Sequence, residues 1–144
     1  MPAKQLTPDS DIADFLQEQI DRFREQILYL FRWVGEACVS EARTGGNYRD
    51  RTGNLRSSVG YVIVDDGKVI TTAGFESSEG GRQGSTFARQ LVAQFPKGIV
   101  LIVVAGMNYA SYVAARGYNV LDSSELQAER LIPKFMKQLG FELR

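Results

Sequence analysis

One amphipathic pattern occupies the first third of the chain and limits what the rest can fold into. Apolar side chains recur every three or four positions from Ile12 to Cys38, the spacing of one face of an α-helix. With Ser10 or Thr7 as its cap and Gly45 and Gly46 beyond its last turn, it predicts a rod of roughly 50 Å. A 144-residue globule has a radius of gyration of only ~14–15 Å. We therefore expect part of this helix to pack on a partner subunit.

The middle of the chain predicts a small antiparallel sheet. Val59–Val64 and Val69–Phe75 are rich in β-branched and aromatic residues, and Asp66-Gly67 between them is a preferred two-residue hairpin turn. Ile99–Ala105 is apolar at every position, which is typical of a strand buried on both faces. These segments predict three or four strands in one sheet.

Shorter helical patterns accompany the strands. The spacing of Phe87, Leu91 and Phe95 predicts a short helix that ends at Pro96, and Tyr109, Tyr112 and Val113 predict a helical turn that ends at Gly117. Tyr118–Leu121 then suits a sheet edge. The last helix combines a capping box, a buried stripe, a kinking proline and a terminal glycine: Asp122, Glu125, Leu126, Leu131, Ile132, Pro133, Phe135, Leu139 and Gly140.

The sequence thus predicts one α+β domain over residues 1–144. Its parts are a long helix at 1–44, a basic loop at 45–58, a sheet region with short helices at 59–121, and a C-terminal helix and tail at 122–144. The C-terminal helix is expected to pack on the small, mainly antiparallel sheet. The loop contains Leu55–Ser58, which fits a single helical turn.

Composition excludes most catalytic chemistry. The chain has no histidine and one cysteine, so imidazole-based catalysis, internal disulfides and Cys-rich zinc sites are excluded. Its net charge is zero, which favours neither nucleic acid nor an anionic membrane. The longest apolar run, Ile99–Ala105, falls far short of the ~20 residues of a membrane helix, and no secretory signal is recognised. We expect a non-enzymatic protein made in the cytoplasm, with no cofactor and no small-molecule substrate.

Three local features have ordinary structural explanations. The glycine-rich stretch Glu79–Ser85 could bind phosphate at a helix N-terminus, but it lacks a P-loop lysine and is interpreted as a solvated loop. Cys38 lies on the apolar helix face and is interpreted as a core residue. Asp65 and Asp66 flank a hairpin glycine, so turn chemistry explains them without acid–base catalysis.

A basic stretch follows the first helix. Residues 43–56 carry four basic and one acidic side chain, a balance of +3, whereas residues 1–42 carry four basic and eight acidic ones, a balance of −4. Three interpretations remain open: contact with a neighbour's acidic first helix, proximity to DNA, or solvation. The candidate interaction residues are Arg43, Tyr48, Arg49, Arg51 and Arg56.

Two segments resemble the minor tail-component family of long-tailed double-stranded DNA phages, whose members complete the tail or join it to the head. Arg51-Thr-Gly-Asn-Leu-Arg-Ser-Ser-Val59 is similar to the family's "TGNLR-S-I" signature, and Asn108-Tyr-Ala-Ser-Tyr-Val113 with Gly117 to its "YA-YVE-GT" segment. Ala114 and Tyr118 depart from that pattern. The matching motif residues are Thr52, Gly53, Asn54, Leu55, Tyr109, Ala110, Tyr112, Val113 and Gly117.

The resemblance implies a structural role in virion assembly. It implies a neck or tail-completion protein that forms a ring with copies of itself, contacts other phage neck and tail proteins, and resides in the host cytoplasm and then in the virion. The alternative, from the residues alone, is a small nucleic-acid-binding protein that uses Arg43–Arg56.

Overall fold

The computed structural model describes residues 9–44, 48–50, 58–106, 111–117 and 125–143. Three α-helices, a short 3₁₀ segment and six strands form in these ranges, in the order α1 Asp9–Thr44, β1 Tyr48–Asp50, β2 Val59–Asp65, β3 Lys68–Ala73, α2 Glu79–Leu91, 3₁₀ Val92–Gln94, β4 Ile99–Ala105, β5 Ser111–Arg116, α3 Glu125–Gln138 and β6 Phe141–Leu143. The predicted α+β class is confirmed. α1 is 36 residues long, in agreement with the amphipathic pattern.

The main sheet has the strand order β3-β2-β4-β5, and every neighbouring pair is antiparallel. Tyr61 of β2 is opposite Val103 of β4, which is opposite Val113 of β5. Because side chains alternate between the two faces of a strand, this register aligns Tyr61, Val103 and Val113 on one face. The same alternation aligns Val62 and Ile102 on the other.

Helices cover both faces of this sheet. The face with Tyr61 packs against α1 and α3 in one core that includes Phe31, Cys38 and Phe135. The opposite face packs against α2 in a second core that includes Ala88 and Leu91. The prediction that Ile99–Ala105 is buried on both faces is confirmed, since all seven residues are buried.

Glycines bring α2 close to the sheet, and the predicted loop at Glu79–Ser85 is wrong. Those residues form the first turns of α2, and the Ser78 hydroxyl caps the helix by accepting a hydrogen bond from the Gly81 amide at 3.1 Å. A Cβ at Gly84 would lie 2.3 Å from the Ser58 carbonyl oxygen. Close packing of the helix on neighbouring backbone explains these glycines, which sequence reasoning assigned to flexibility.

The β2–β3 hairpin forms as predicted. Asp66 and Gly67 have φ values of 48° and 83°, which suit a two-residue turn with positive φ at both positions. Asp66 also anchors the turn, because its carboxylate accepts a hydrogen bond from the Gly98 amide at 2.7 Å and its own amide donates to the Gly98 carbonyl at 3.0 Å. A structural role for this aspartate is confirmed.

Three local predictions are wrong. Tyr112 and Val113 lie in strand β5 because pairing with β4 outweighs the helix-like spacing of the apolar residues in this short segment. Tyr48–Asp50 forms strand β1, paired with β6, where a loop and a tail were predicted. Ser10 is a helical residue of α1 and therefore not its cap.

The C-terminal helix agrees with its predicted stripe. Phe135 and Leu139 are buried, Leu131 and Ile132 pack against the core, and Gly140, with φ 106°, follows the helix. Other predictions lie outside the described residues: Thr7, Gly45, Gly46, the turn at 55–57, the sheet edge at 118–121 and Asp122.

Candidate protein interaction surface

The C-terminal half of α1 is held against its own subunit. Phe31, Val34 and Cys38 are buried in the core. At one end of this half, the Arg24 guanidinium pairs with the Asp65 carboxylate at the end of β2. At the other end, Arg43 donates to the Gly74 carbonyl and forms an ion pair with Glu76 at 3.1 Å. Two arginines therefore fix the helix at either end of its buried portion.

The part of α1 that precedes Arg24, residues 9–23, is here called the projecting segment. Every residue of it is exposed except Gln19, which is half-buried. At 1.5 Å per residue it adds roughly 22 Å of helix. A soluble helix usually buries its apolar face, so the side chains that this segment leaves exposed are described next.

Five large apolar side chains of the projecting segment form what we call the apolar stripe. Their exposed fractions lie between 41% and 59%. For side chains of roughly 150–250 Å² each, the exposed area is about 500 Å², close to the upper limit of about 600 Å² for the largest apolar patch of a typical monomer. The stripe consists of Ile12, Phe15, Leu16, Ile20 and Phe23.

Acidic side chains occupy the opposite side of the same helix. They recur every three or four positions, out of phase with the stripe, and are named here the acidic face: Asp11, Asp14, Glu18, Asp21 and Glu25. Local partners are few: Arg22 approaches Glu18 at 3.6 Å and the Gln17 amide donates to Asp21 at 3.0 Å. The projecting segment thus presents one apolar and one anionic surface.

The structure describes only part of the predicted basic stretch. Arg43 makes the two contacts within the subunit given above. Tyr48 and Arg49 lie in β1, at register positions opposite Leu143 and Glu142 of β6. Arg51, Arg56 and the motif residues Thr52, Gly53, Asn54 and Leu55 lie outside the described residues, as do Tyr109 and Ala110.

The remaining motif residues have packing roles. The Tyr112 ring meets Phe87 and Phe95 edge-on, with centroids 6.2 and 6.5 Å apart, and its hydroxyl lies 3.4 Å from the Gln94 side-chain oxygen. Val113 is buried in the core shared with α1 and α3. A Cβ at Gly117 would lie 3.2 Å from the Ile99 carbonyl oxygen. The Tyr112 ring thus joins β5 to α2 and to the segment that follows the 3₁₀ turn.

The sole cysteine is a core residue, as predicted. Burial, with a smaller contribution from the charge of Glu41, raises the pKa of the Cys38 thiol to about 12. The nearby Tyr61 hydroxyl donates to the Glu36 carboxylate at 2.8 Å, and burial followed by this bond raises the pKa of that phenol. A thiol protonated at neutral pH is a poor nucleophile.

Comparison with known proteins gives no assignment: no family model, curated protein or solved structure matches the chain. Among the described residues, no three cysteine or carboxylate side chains are grouped as metal ligands. No described helix combines the length and hydropathy of a membrane span. The apolar stripe and the acidic face remain as two large exposed surfaces of opposite character on one helix.

The sequence predicted a helix longer than the globular part of the subunit but did not show which helical residues would be exposed. The boundary between exposed and packed residues lies at Arg24, because its ion pair with Asp65 marks the point where α1 leaves the sheet. A buried and an exposed apolar stripe have the same period, so spacing alone could not separate Phe23 from Phe31.

Proposed function

We propose that the protein is a structural subunit of the neck of a long-tailed double-stranded DNA phage or prophage, and that it completes the tail or joins it to the head by assembling with copies of itself. The observation that carries this proposal is the apolar stripe on residues 9–23, which nothing in the described subunit covers. Apolar patches near the upper limit for a monomer are often functional, and protein–protein contact is one such function. The motif resemblance supplies the phage context.

Burial of the apolar stripe is comparable in free energy with the cost of association. Burying about 500 Å² of apolar surface gives roughly 12 kcal/mol at ~25 cal/mol per Å². Association costs about 4–15 kcal/mol in lost freedom. The two quantities are of the same order, so a further contact between subunits would strengthen assembly.

Oppositely charged surfaces on neighbouring subunits would supply a second contact, and such a contact can form a ring. The acidic face of one subunit complements the basic stretch of the next, and a contact between two different surfaces repeats until the ring closes. Because Arg43 is already paired with Gly74 and Glu76, this contact rests on Arg49, Arg51 and Arg56. Its partner surface is Asp11–Glu25 of the neighbour.

The nucleic-acid alternative has less support from the described residues. Of the five candidate contact residues, Arg43 is directed into its own subunit rather than toward a ligand. DNA binding by the remaining arginines would weaken steeply with salt, in proportion to the phosphates neutralised. A filter-binding titration at several salt concentrations distinguishes the two functions.

The test is complementation of a phage from which this gene has been deleted. Induced cells are expected to accumulate unjoined heads and tails, and the wild-type protein supplied from a plasmid is expected to restore complete particles. Arg49→Glu with Arg51→Glu is expected to restore at least tenfold fewer particles, because it turns the charge attraction between neighbouring subunits into repulsion.

A matched control separates the loss of this particular contact from a general effect of reversing two charges. Arg82→Glu with Arg89→Glu makes the same charge change on the exposed side of α2 and is expected to restore particles fully. Circular dichroism checks that both variants are folded. Complete particles without the gene, or full restoration of particles by the Arg49/Arg51 variant, would contradict the proposal.

A further inference from the structure

The apolar stripe continues, in phase, the buried face of α1. The positions 12, 16, 20 and 23 lead at three- and four-residue spacing into Ile27, Leu30 and Val34, which pack in the core shared with the sheet and α3. We propose that in the free protein the apolar stripe packs against the same stripe of a second copy, with the two projecting segments antiparallel. This inference concerns the protein before it enters a particle and does not depend on the phage assignment.

The subunit's own body determines the antiparallel direction. Beyond Arg24, the face of α1 that carries the stripe is covered by the sheet and α3. A parallel partner helix, continuing into its own body, would have to enter this occupied space. An antiparallel partner runs the other way, so that its body lies beyond residue 9 of the first copy.

The side-chain pattern is self-complementary in this orientation. Antiparallel packing places Ile12 opposite Phe23 and Phe15 opposite Ile20, with Leu16 close to the two-fold axis. The acidic face lies on the outer side of each helix, so the pairing does not bring like charges together. A two-fold contact needs one surface that fits itself, and the stripe meets this requirement.

The area is sufficient for a specific contact. Two stripes of about 500 Å² bury about 1,000 Å² together, which is the lower limit for a specific interface. Other groups of exposed large apolar residues in the described chain are smaller: Tyr29 with Trp33 on α1, Val69 with Ile70 on β3, and Tyr112. The stripe of a second copy is therefore the best-matched occupant.

The first experiment measures molar mass by light scattering across a hundredfold range of protein concentration. The wild type is expected to be a dimer that dissociates on dilution. Leu16→Glu with Phe23→Glu is expected to be monomeric at every concentration, because each dimer would bury four carboxylates. The matched control, Ser10→Glu with Gln17→Glu, adds the same charges at the same seven-residue separation outside the stripe and is expected to dimerise.

The second experiment determines the orientation by disulfide cross-linking. Cross-links formed by the introduced cysteines are not confused with cross-links of Cys38, because the Cys38 thiol is buried and has a raised pKa. A mixture of Ile12→Cys and Phe23→Cys proteins is expected to form the mixed disulfide faster than either protein forms its own. A parallel pair would instead link Ile12→Cys to itself.

A wild-type monomer at all concentrations would overturn the inference, as would a dimer insensitive to the Leu16/Phe23 substitutions or cross-links of the parallel pattern. If that variant loses dimerisation but a Val69→Cys protein forms a mixed disulfide with the Ile12→Cys or Phe23→Cys protein, the occupant of the stripe is β3 and the inference is also wrong. Complementation separates this failure from that of the proposed function, since a monomeric wild-type protein can still join heads to tails.

Discussion

At the scale of single residues, burial rather than reactivity explains the groups that first attract attention. Cys38 and Tyr61 both have raised pKa values because the folded protein favours their neutral forms. Asp66, which could be taken for an acid–base group, is bonded to Gly98. Tyr61 joins β2 to α1 through its bond to Glu36, Asp66 joins the β2–β3 turn to Gly98, and Cys38 is buried in the core.

The Cys38 thiol provides a test through pH. Its pKa is about 12 in the folded protein and close to 9 when unfolded, so between these values the folded state binds more protons and stability falls as the pH rises. We expect Cys38 to contribute a loss of up to about 1.4 kcal/mol per pH unit above pH 9. Urea unfolding of the wild type and of Cys38→Ala at pH 8 to 11 measures the difference.

The wild type is expected to lose stability more steeply than Cys38→Ala over that range. Parallel pH profiles for the two proteins would show that the thiol is not protected by burial. Alkylation of the native protein by iodoacetamide, with the urea-unfolded protein as reference, gives an independent measure of the same protection.

At the scale of elements, the close contact of α1 with β2 depends on a missing side chain. A Cβ at Gly35 would lie 2.6 Å from the Tyr61 ring, and that ring is fully buried with its hydroxyl bonded to Glu36. The helix tolerates a glycine in its interior because the ring occupies the vacant space. The α1–β2 spacing is therefore set by one glycine and one tyrosine.

We expect Gly35→Ala to destabilise the protein by about 2 kcal/mol. Alanine improves helix propensity by about 1 kcal/mol, but the ring cannot move aside, so the cost of overpacking is the larger effect. Urea denaturation measures the change. Ser40→Ala, at an exposed position of the same helix, is the control and is expected to stay within about 0.5 kcal/mol. An unchanged or increased stability of Gly35→Ala would contradict this packing.

The elements differ in how far their sequence could predict them. Hydrophobic periodicity predicted α1, and β-branched runs with Asp66-Gly67 predicted β2 and β3, because these signals are local. The start of α2 was not predicted, because Gly80, Gly81 and Gly84 are typical of a loop. Only the folded structure shows that Gly84 lies against the Ser58 backbone, where a side chain would not fit. Tyr112 was misassigned because β5 depends on pairing with β4, which is a long-range contact.

At the scale of the whole molecule, the subunit divides into a body and an extension that contributes no buried residue. The first buried residue of α1 is Phe31, and the first contact of the helix with the sheet that the structure shows is Arg24. The stripe therefore adds no buried side chain to the described core, and contact between molecules is the role that we propose for it. Its exposure could not be predicted from spacing, because it depends on where the sheet ends.

Deletion of residues 1–22 tests this division. We expect the shortened protein to keep its body, with a melting temperature within about 5 °C of the monomeric Leu16→Glu/Phe23→Glu variant, because a change of up to about 1 kcal/mol shifts the melting temperature of a domain of this size by about 5 °C at most. Deletion of residues 1–30 also removes Arg24 and Ile27 and is expected to lower the melting temperature clearly. Calorimetry at low concentration measures both. If both deletions lowered the melting temperature by the same large amount, the division into a body and an extension would be contradicted.

The two arginine contacts at the ends of the buried part of α1 also set the direction in which its exposed part extends. Ile12 lies about 18 Å beyond Arg24 along the helix axis. A small tilt of α1 on the sheet is therefore magnified at the far end of the rod. Two bodies joined through such arms would have their mutual angle governed by the ion pair between Arg24 and Asp65, although neither side chain touches the other molecule.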